Sequence, residues 1–372
     1  MSRLALVLGL LVGSMSLEAV AQSAPRVPSG PRSKADRLPR KVVVGTVIHR
    51  SSSKVLSLEE RLQRLAEMID DMARETAKAY RGQRLDLAIL PEESLTAQPG
   101  TASQRALRLD GPVRETFGAL AQRHKTYIIL PMDLAEEGAN GTTYANAAVL
   151  FDRQGKVAGI YRKVHPVALV GSDDLEGGIT PGKEFPVFDC DFGRLGIQIC
   201  WDMVYDDGWA VLAEKGAEIV AWPTASPATA QPASRAGRHR YYIVSSTWRD
   251  NATIFEPTGI VAARTEEPGK VLVHQIDLSY AVLGWSAHLR DGKALIEAFG
   301  DRAGFHYEPR QDLGLFWSND AKTTISEMIR SLNLEEIDLQ IDRNRKLQDA
   351  ARGDPAPRPS NSPRDAGRPP TE

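Results

Sequence analysis

The segment Pro181–Asp202, PGKEFPVFDCDFGRLGIQICWD, decides the fold. Aromatic and β-branched residues flank Asp191-Phe192-Gly193-Arg194, which predicts two strands, Phe185–Cys190 and Leu195–Cys200, joined by a tight turn. The second strand then ends on Cys200. A thiol placed where a buried strand gives way to the next element is held rigidly and still faces a pocket, which suits a nucleophile. A lone cysteine on an apolar strand is equally an ordinary core residue. The sharper reading needs two further groups, one to take the thiol proton and a cation to meet an oxyanion.

Composition removes several classes of function. The 372 residues carry 46 Lys and Arg against 48 Asp and Glu, a formal net charge of -2, so no basic excess points to nucleic acid. Seven histidines lie at no metal-ligand spacing and two cysteines cannot build a zinc site, so neither metal nor cofactor is expected. At the N-terminus, Arg3 precedes an apolar run over Leu4–Leu11, and Ala19-Val20-Ala21 has the small-x-small pattern of a signal-peptidase site. The run is shorter than the ~20 residues needed to span a bilayer. The expectation is a signal peptide over 1–21 and an exported protein, periplasmic or secreted, beginning at Gln22. An oxidising compartment permits a disulfide, but about five residues at ~3.3 Å each separate the two thiols along the predicted hairpin, beyond the ~7 Å reach of a bridge. Both cysteines are therefore expected to be free.

Residues 22–40, rich in Ser, Pro and Arg, read as a flexible lead-in. The β-branched run Lys41–Ile48 opens the domain. Ser57 and Glu60 form a capping-box pattern ahead of Leu58, Leu62, Leu65, Ile69 and Met72, the spacing of a helix with one buried face. Leu85–Leu90 is a short apolar strand that stops at Pro91-Glu92-Glu93. Past a proline that cannot extend the ladder, Glu92 stands at a sheet's end, where apolar walls suit a general base; a solvated loop acid has the same pattern. A helix follows Asp110 with Pro112 in its first turn, then a strand Tyr127–Leu130. The strands Tyr144–Phe151 and Val157–Tyr161 flank Asp152-Arg153-Gln154-Gly155 and deliver Lys163, either a surface lysine or a cation held beside the thiol. Downstream, Tyr205–Lys215 and Ser234–Tyr241 read as helices, Glu218–Trp222 as a strand ending at Pro223, and four short strands complete a layered α/β domain.

Three motifs in this order, LDLAILPEESL around Glu92, YANAAVLFDRQGKVAGIYRKVHP around Lys163 and FGRLGIQICWD around Cys200, resemble the nitrilase, or carbon–nitrogen hydrolase, superfamily. The ITPG and FPVF segments, RHRYYIVSS and IFEPTGIV extend the resemblance over 41–278. It implies a four-layer αββα sandwich that usually dimerises into eight layers, so a homodimer or larger homo-oligomer is expected. It implies Cys200 as nucleophile, Glu92 as general base and Lys163 as oxyanion cation, with the Trp201 backbone N–H as a second donor. Glu176, before the Pro-Gly turn, matches a further glutamate with a positioning role, and Tyr144 and Asn146 match residues that support the lysine strand. The implied reaction is hydrolysis of a small non-peptide C–N bond through a thioester. Nitrilases proper usually carry Cys-Trp-Glu, whereas Cys200-Trp201-Asp202 looks more like the amidase and carbamoylase branches, so an amide or N-carbamoyl substrate is expected. A nitrilase, an N-acyltransferase and a catalytically silent binding protein are the alternatives on this scaffold.

Beyond Leu278 the resemblance fades. Aromatic residues from Trp285 to Trp317 suggest a folded extension over 279–352, with a helix over Thr323–Ala351 in which Ile337–Ile341 also alternates like a strand. The Pro-, Ser- and Arg-rich tail, 353–372, is expected to be disordered.

Overall fold

A computed structural model describes residues 33–49, 55–168, 170–353 and 356. The expected signal peptide, residues 22–32 of the lead-in and nearly all of the tail lie outside the described residues. The chain begins with a 3₁₀ turn, Lys34–Asp36, then β1 (Lys41–Val47), α1 (Leu58–Ala79), β2 (Leu87–Ile89), α2 (Ala102–Arg105), α3 (Gly111–His124), β3 (Tyr127–Gly138), β4 (Gly141–Phe151) and β5 (Val157–Arg162). It continues through β6 (Val187–Cys190), β7 (Gly193–Ile197), a 3₁₀ turn Cys200–Val204, α4 (Asp207–Glu214), β8 (Ile219–Thr224), α5 (Ala230–His239), β9 (Tyr242–Thr247), β10 (Ala252–Phe255), β11 (Val261–Thr265) and β12 (Val271–Asp277). The remainder comprises β13 (Tyr280–Gly284), α6 (Lys293–Phe299), β14 (Ala303–Glu308), β15 (Leu313–Ser318), α7 (Ile325–Ser331) and α8 (Ile337–Arg352).

Two six-stranded sheets form the body, in the orders β12-β1-β2-β3-β4-β5 and β11-β10-β9-β8-β7-β6. Successive strand residues point to opposite faces, and the sheets use that alternation to make layers. Val42 and Val44 of β1 meet Ile197, Ala221 and Val244 of the other sheet in a central core. Val43 and Val47 face the other way, against Leu65, Ile69 and Met72 of α1 and Phe117 of α3. On the far side of the second sheet, Val220 and Trp222 meet Trp209 and Leu212 of α4 and Ala236 of α5. Helix, sheet, sheet, helix is the four-layer αββα order. The capping box is present, Ser57 accepting from the Glu60 N–H at 3.1 Å while Glu60 accepts from the Ser57 N–H at 2.8 Å.

Several boundaries differ from the sequence reading. β7 stops at Ile197, so Cys200 does not end a strand but opens the 3₁₀ turn. Pro223 lies inside β8. Ala221 accepts from Gln198 on the β7 side, so Pro223, facing the same way two residues on, points where β7 has already ended and no ladder donor is needed. β3 and β4 run to Gly138 and from Gly141, a longer hairpin than expected because the polar stretch after Leu134 reads as a loop yet stays paired. α5 begins at Ala230 with Pro232 in its first turn. The lead-in joins the fold from Ser33: Ala35 is fully buried and Arg40 pairs with Glu218 at 2.5 Å.

The extension forms a three-stranded sheet, β13-β15-β14, whose core joins Ala281, Leu295, Phe316 and Met328. The single helix expected over Thr323–Ala351 is two helices, and Ile337–Ile341 is helical rather than a strand. Both cysteines are free thiols. No described helix is long and apolar enough to cross a membrane.

Candidate active site

The central strands of each sheet run parallel, β1 with β2 and β3, and β7 with β8 and β9, so their C-terminal ends lie along one rim. At that rim Ile48 bridges Thr247, and Ser246 donates to the Val47 carbonyl at 2.9 Å, tying the sheets together. Glu92 follows β2, Lys163 follows β5 and Cys200 follows β7, so the layer order alone brings three distant segments to one place.

Glu92 is 4 % exposed. Its Oε1 accepts from Lys163 Nζ at 2.9 Å and Asn146 Nδ2 at 3.0 Å, and its Oε2 accepts from the Ala225 N–H at 3.0 Å. Trp248 Nε1 donates to the Glu92 carbonyl at 2.7 Å, fixing the backbone. Lys163, 1 % exposed, also donates to Glu176 Oε1 at 2.5 Å. Burial alone would lower the Lys163 pKa, but the charges of Glu92 and Glu176, and that of the Cys200 sulfur whenever it is ionised, outweigh it and hold the ammonium well above its ordinary value. Glu176 accepts in addition from the Val167 N–H at 3.0 Å and Asn146 Nδ2 at 3.1 Å. Asn146 therefore bridges both carboxylates, and its own carbonyl accepts from the Lys163 N–H at 2.8 Å. Tyr144 supports the loop rather than the lysine strand: its carbonyl accepts from the Thr180 N–H at 2.7 Å, just beyond Glu176.

Cys200 takes φ +41°, a left-handed conformation unusual for a side chain larger than hydrogen. Trp222 Nε1 donates to its carbonyl at 3.2 Å, holding the turn against β8. Burial, reinforced by the Glu92 charge, pushes the thiol up to about 12, while Lys163, Thr224 and the Ala225 N–H pull it down. The resting sulfur is thus a neutral thiol. Glu92 thus disfavours a thiolate at this position while Lys163 favours one. Trp201 follows immediately and is 42 % exposed.

The sequence reading missed a second set of residues. Asp202, read only as a marker of branch, is fully buried and accepts four hydrogen bonds. They come from the Ile199 N–H at 2.8 Å, Tyr161 Oη at 2.8 Å, the His165 N–H at 3.0 Å and His165 Nδ1 at 3.0 Å. One carboxylate thus ties the nucleophile turn to both sides of Lys163. The His165 ring stacks on Tyr205 with centroids 3.9 Å apart, and its Nε2 lies 3.5 Å from Asp207. The hydrogen bond to Asp202 raises the His165 pKa above its ordinary 6.5 against the opposing effect of burial. Glu93, Arg105 and Asp133 form a further buried group. Among the described residues no cluster of His, Cys, Asp or Glu could hold a metal ion.

A cysteine, a glutamate and a lysine converging on the rim of an αββα sandwich define a candidate thiol hydrolase site. The carbon-nitrogen hydrolase family model matches residues 44–283, and the chain belongs to that family. Among curated relatives, a citrullinase of Francisella tularensis subsp. tularensis is 33 % identical over 117 residues, 31 % of this chain and 39 % of that protein. A bifunctional nitrilase/nitrile hydratase of Lupinus angustifolius is 32 % identical over 120 residues, 32 % of each chain. This chain spans less than half the length of these relatives. Among solved structures, Nit3 of Saccharomyces cerevisiae superimposes with a TM-score of 0.54 at 21 % identity, covering 64 % of this chain and 91 % of that one. The NitFhit protein of C. elegans gives 0.56 at 19 % identity, covering 65 % and 62 %. Both show the same fold.

Proposed function

We propose that this chain hydrolyses a small amide or N-carbamoyl C–N bond through a thioester on Cys200. The observation that carries the reading is the convergence of the half-buried Cys200 with the buried Glu92 and Lys163, each just beyond the end of a different strand. Glu92 takes the thiol proton as sulfur attacks the carbonyl carbon, and the oxyanion that forms lies against Lys163 and the Trp201 N–H. Collapse of this intermediate expels ammonia or an amine, which leaves with the proton held by Glu92. Water then gives a proton to Glu92 and its oxygen to the acyl carbon, and the second collapse returns the thiol. Lys163 stays charged throughout, because Glu92 and Glu176 flank it.

The Cys-Trp-Asp sequence supports the amide or carbamoyl reading over the nitrile one, and the citrullinase among the relatives acts, by its name, on a ureido compound. Nitrilase-named relatives favour a nitrile as the second reading. We also read the chain as a homo-oligomer: Trp201, Val204 and Tyr205 expose 42, 46 and 43 % of their surface on one turn, an apolar patch suited to a second copy. Export remains a proposal that rests on Arg3 to Ala21. The test is ammonia release by residues 22–372 from a panel of simple amides, N-carbamoyl amines and nitriles, with Cys200→Ala alongside. Release from amides or carbamoyl compounds by the parent alone supports the reading; release from nitriles only, or equal release by the variant, contradicts it.

A further inference from the structure

Next to Glu92 lies a group of charges that the reaction leaves unused. Glu93 and Asp133 are 8 % and 0 % exposed, and Arg105 reaches between them, Nε 3.0 Å from Asp133 Oδ2 and Nη2 3.6 Å from Glu93 Oε1. The same Nη2 donates to the Glu176 carbonyl at 3.4 Å, and the Ala102 N–H, from the same short helix α2, donates to the Gly177 carbonyl at 2.9 Å. α2 is thus docked on the loop that presents Glu176. Its other end is fixed to β3: the Leu107 N–H donates to the Asp133 carbonyl at 3.0 Å, and the Ala135 N–H to the Leu107 carbonyl at 2.9 Å. Asp133 pairs directly across the β3-β4 hairpin with Asn146, the residue that bridges Glu92 and Glu176. Directly opposed residues share a face, so Asp133 stands beside that bridge. Glu93 and Glu176 both hold left-handed φ, +49° each, a strain that persists only where neighbours impose it.

We propose that Arg105 is a positioning residue of the active site, anchoring the Glu176 loop and neutralising the Glu93–Asp133 pair so that Glu92 and Glu176 keep their places around Lys163. The charge count makes the need plain. Four buried or nearly buried carboxyls, Glu92, Glu93, Asp133 and Glu176, meet two cations, Lys163 and Arg105. Burial and the charges of Asp133 and Glu92 drive the Glu93 pKa well above its ordinary value, and burial raises Asp133 to about 6, so even beside Arg105 the pair is disfavoured in its doubly charged form. Removing the guanidinium leaves that pair facing Glu92 and Glu176 with Lys163 as the one remaining cation of the six groups.

This inference rests on the proposed Cys200 and Glu92 roles, and alkylation by iodoacetamide, mapped to the peptide, separates the two. Sulfur displaces iodide from the methylene carbon and its proton passes to Glu92, so labelling of Cys200 reads the base and nucleophile without any substrate. Slow wild-type labelling at Cys200, no faster than at Cys190, overturns the site reading. With the wild type labelled, Arg105→Met is expected to slow Cys200 by about tenfold, the equivalent of one pKa unit in the proton balance. Arg105→Met/Asp133→Asn, which removes the surplus charge, is expected to recover most of that loss. Equal labelling of Arg105→Met and wild type, or a folded double variant no faster than the single one, overturns the inference. Should the methionine variant not fold, Arg105→Lys keeps the charge: slowing of less than about fivefold supports the charge argument and a larger loss overturns it.

Discussion

Cys190 and Cys200 lie ten positions apart, the first at the end of β6 and the second just beyond β7, and are alike in most respects. Both are half-buried free thiols, and burial pushes both up to about 12. Their neighbours differ. The carboxylates near Cys190 face solvent and pair with arginines, Asp191 with Arg153 at 2.7 Å and Asp189 with Arg194 at 3.0 Å, whereas Glu92 is buried with Lys163. Cys200 lies within the electrostatic reach of the buried Glu92 and Lys163, the proposed base and oxyanion cation, on a backbone turn held in a left-handed conformation. On the proposed mechanism, reactivity comes from a partnered proton transfer, not from a thiol of lowered pKa.

The strongest way to break this comparison is to exchange the two thiols for alanine. Cys200→Ala is expected to lower kcat by on the order of 10⁴ or more, and Cys190→Ala to change it by no more than about threefold; steady-state ammonia release measures both. Next in size is Lys163→Met. It strands two buried carboxylates, and we expect kcat to fall by about 10² to 10³ with a stability loss of about 3–5 kcal/mol in urea denaturation. Loss of stability without loss of turnover in the folded fraction would deny the lysine its oxyanion role. Asp202→Asn sharpens the account of the turn. Each carboxylate oxygen accepts two of the four hydrogen bonds and an amide NH2 accepts none, so two donors lose their acceptor; kcat should fall more than KM rises, and the cost should be about 1–3 kcal/mol.

The smallest expected effect is in pH dependence. His165 has a raised pKa when folded, so its bond to Asp202 contributes fully below the ordinary value of 6.5 and is lost as pH rises through the folded pKa. Thermal midpoints of the wild type should therefore decline over that window, and His165→Gln should flatten the decline. A parallel decline in the variant assigns the slope to another group.

Much of the architecture was legible because it is written in local chemistry. The Ser57–Glu60 box and the 3–4 spacing of Leu62, Leu65, Ile69 and Met72 specify α1, and β-branched runs specify the central strands. Glu92, Lys163 and Cys200 stand out because each follows a strand at a break in its pattern, and the family resemblance links them. Arg105, Glu93, Asp133 and His165 carry no such mark. Their partners lie across the sequence, and a charged residue in a polar stretch reads as solvated until the fold buries it. Asp133 is the clearest case, fully buried inside a segment whose polar end reads as a loop. Cys200 was misplaced at a strand end because Ile197-Gln198-Ile199 continues the β pattern for two residues after the ladder has ended.

The most direct test follows both thiols in one molecule. Iodoacetamide at neutral pH, with each cysteine peptide quantified by mass spectrometry over time, gives the Cys200 to Cys190 rate ratio in the wild type and in Glu92→Gln. We expect Cys200 to react at least about tenfold faster in the wild type and the advantage to disappear when glutamine replaces the base. Equal rates in the wild type, or an advantage that survives in Glu92→Gln, would contradict the claim that Glu92 makes Cys200 a nucleophile.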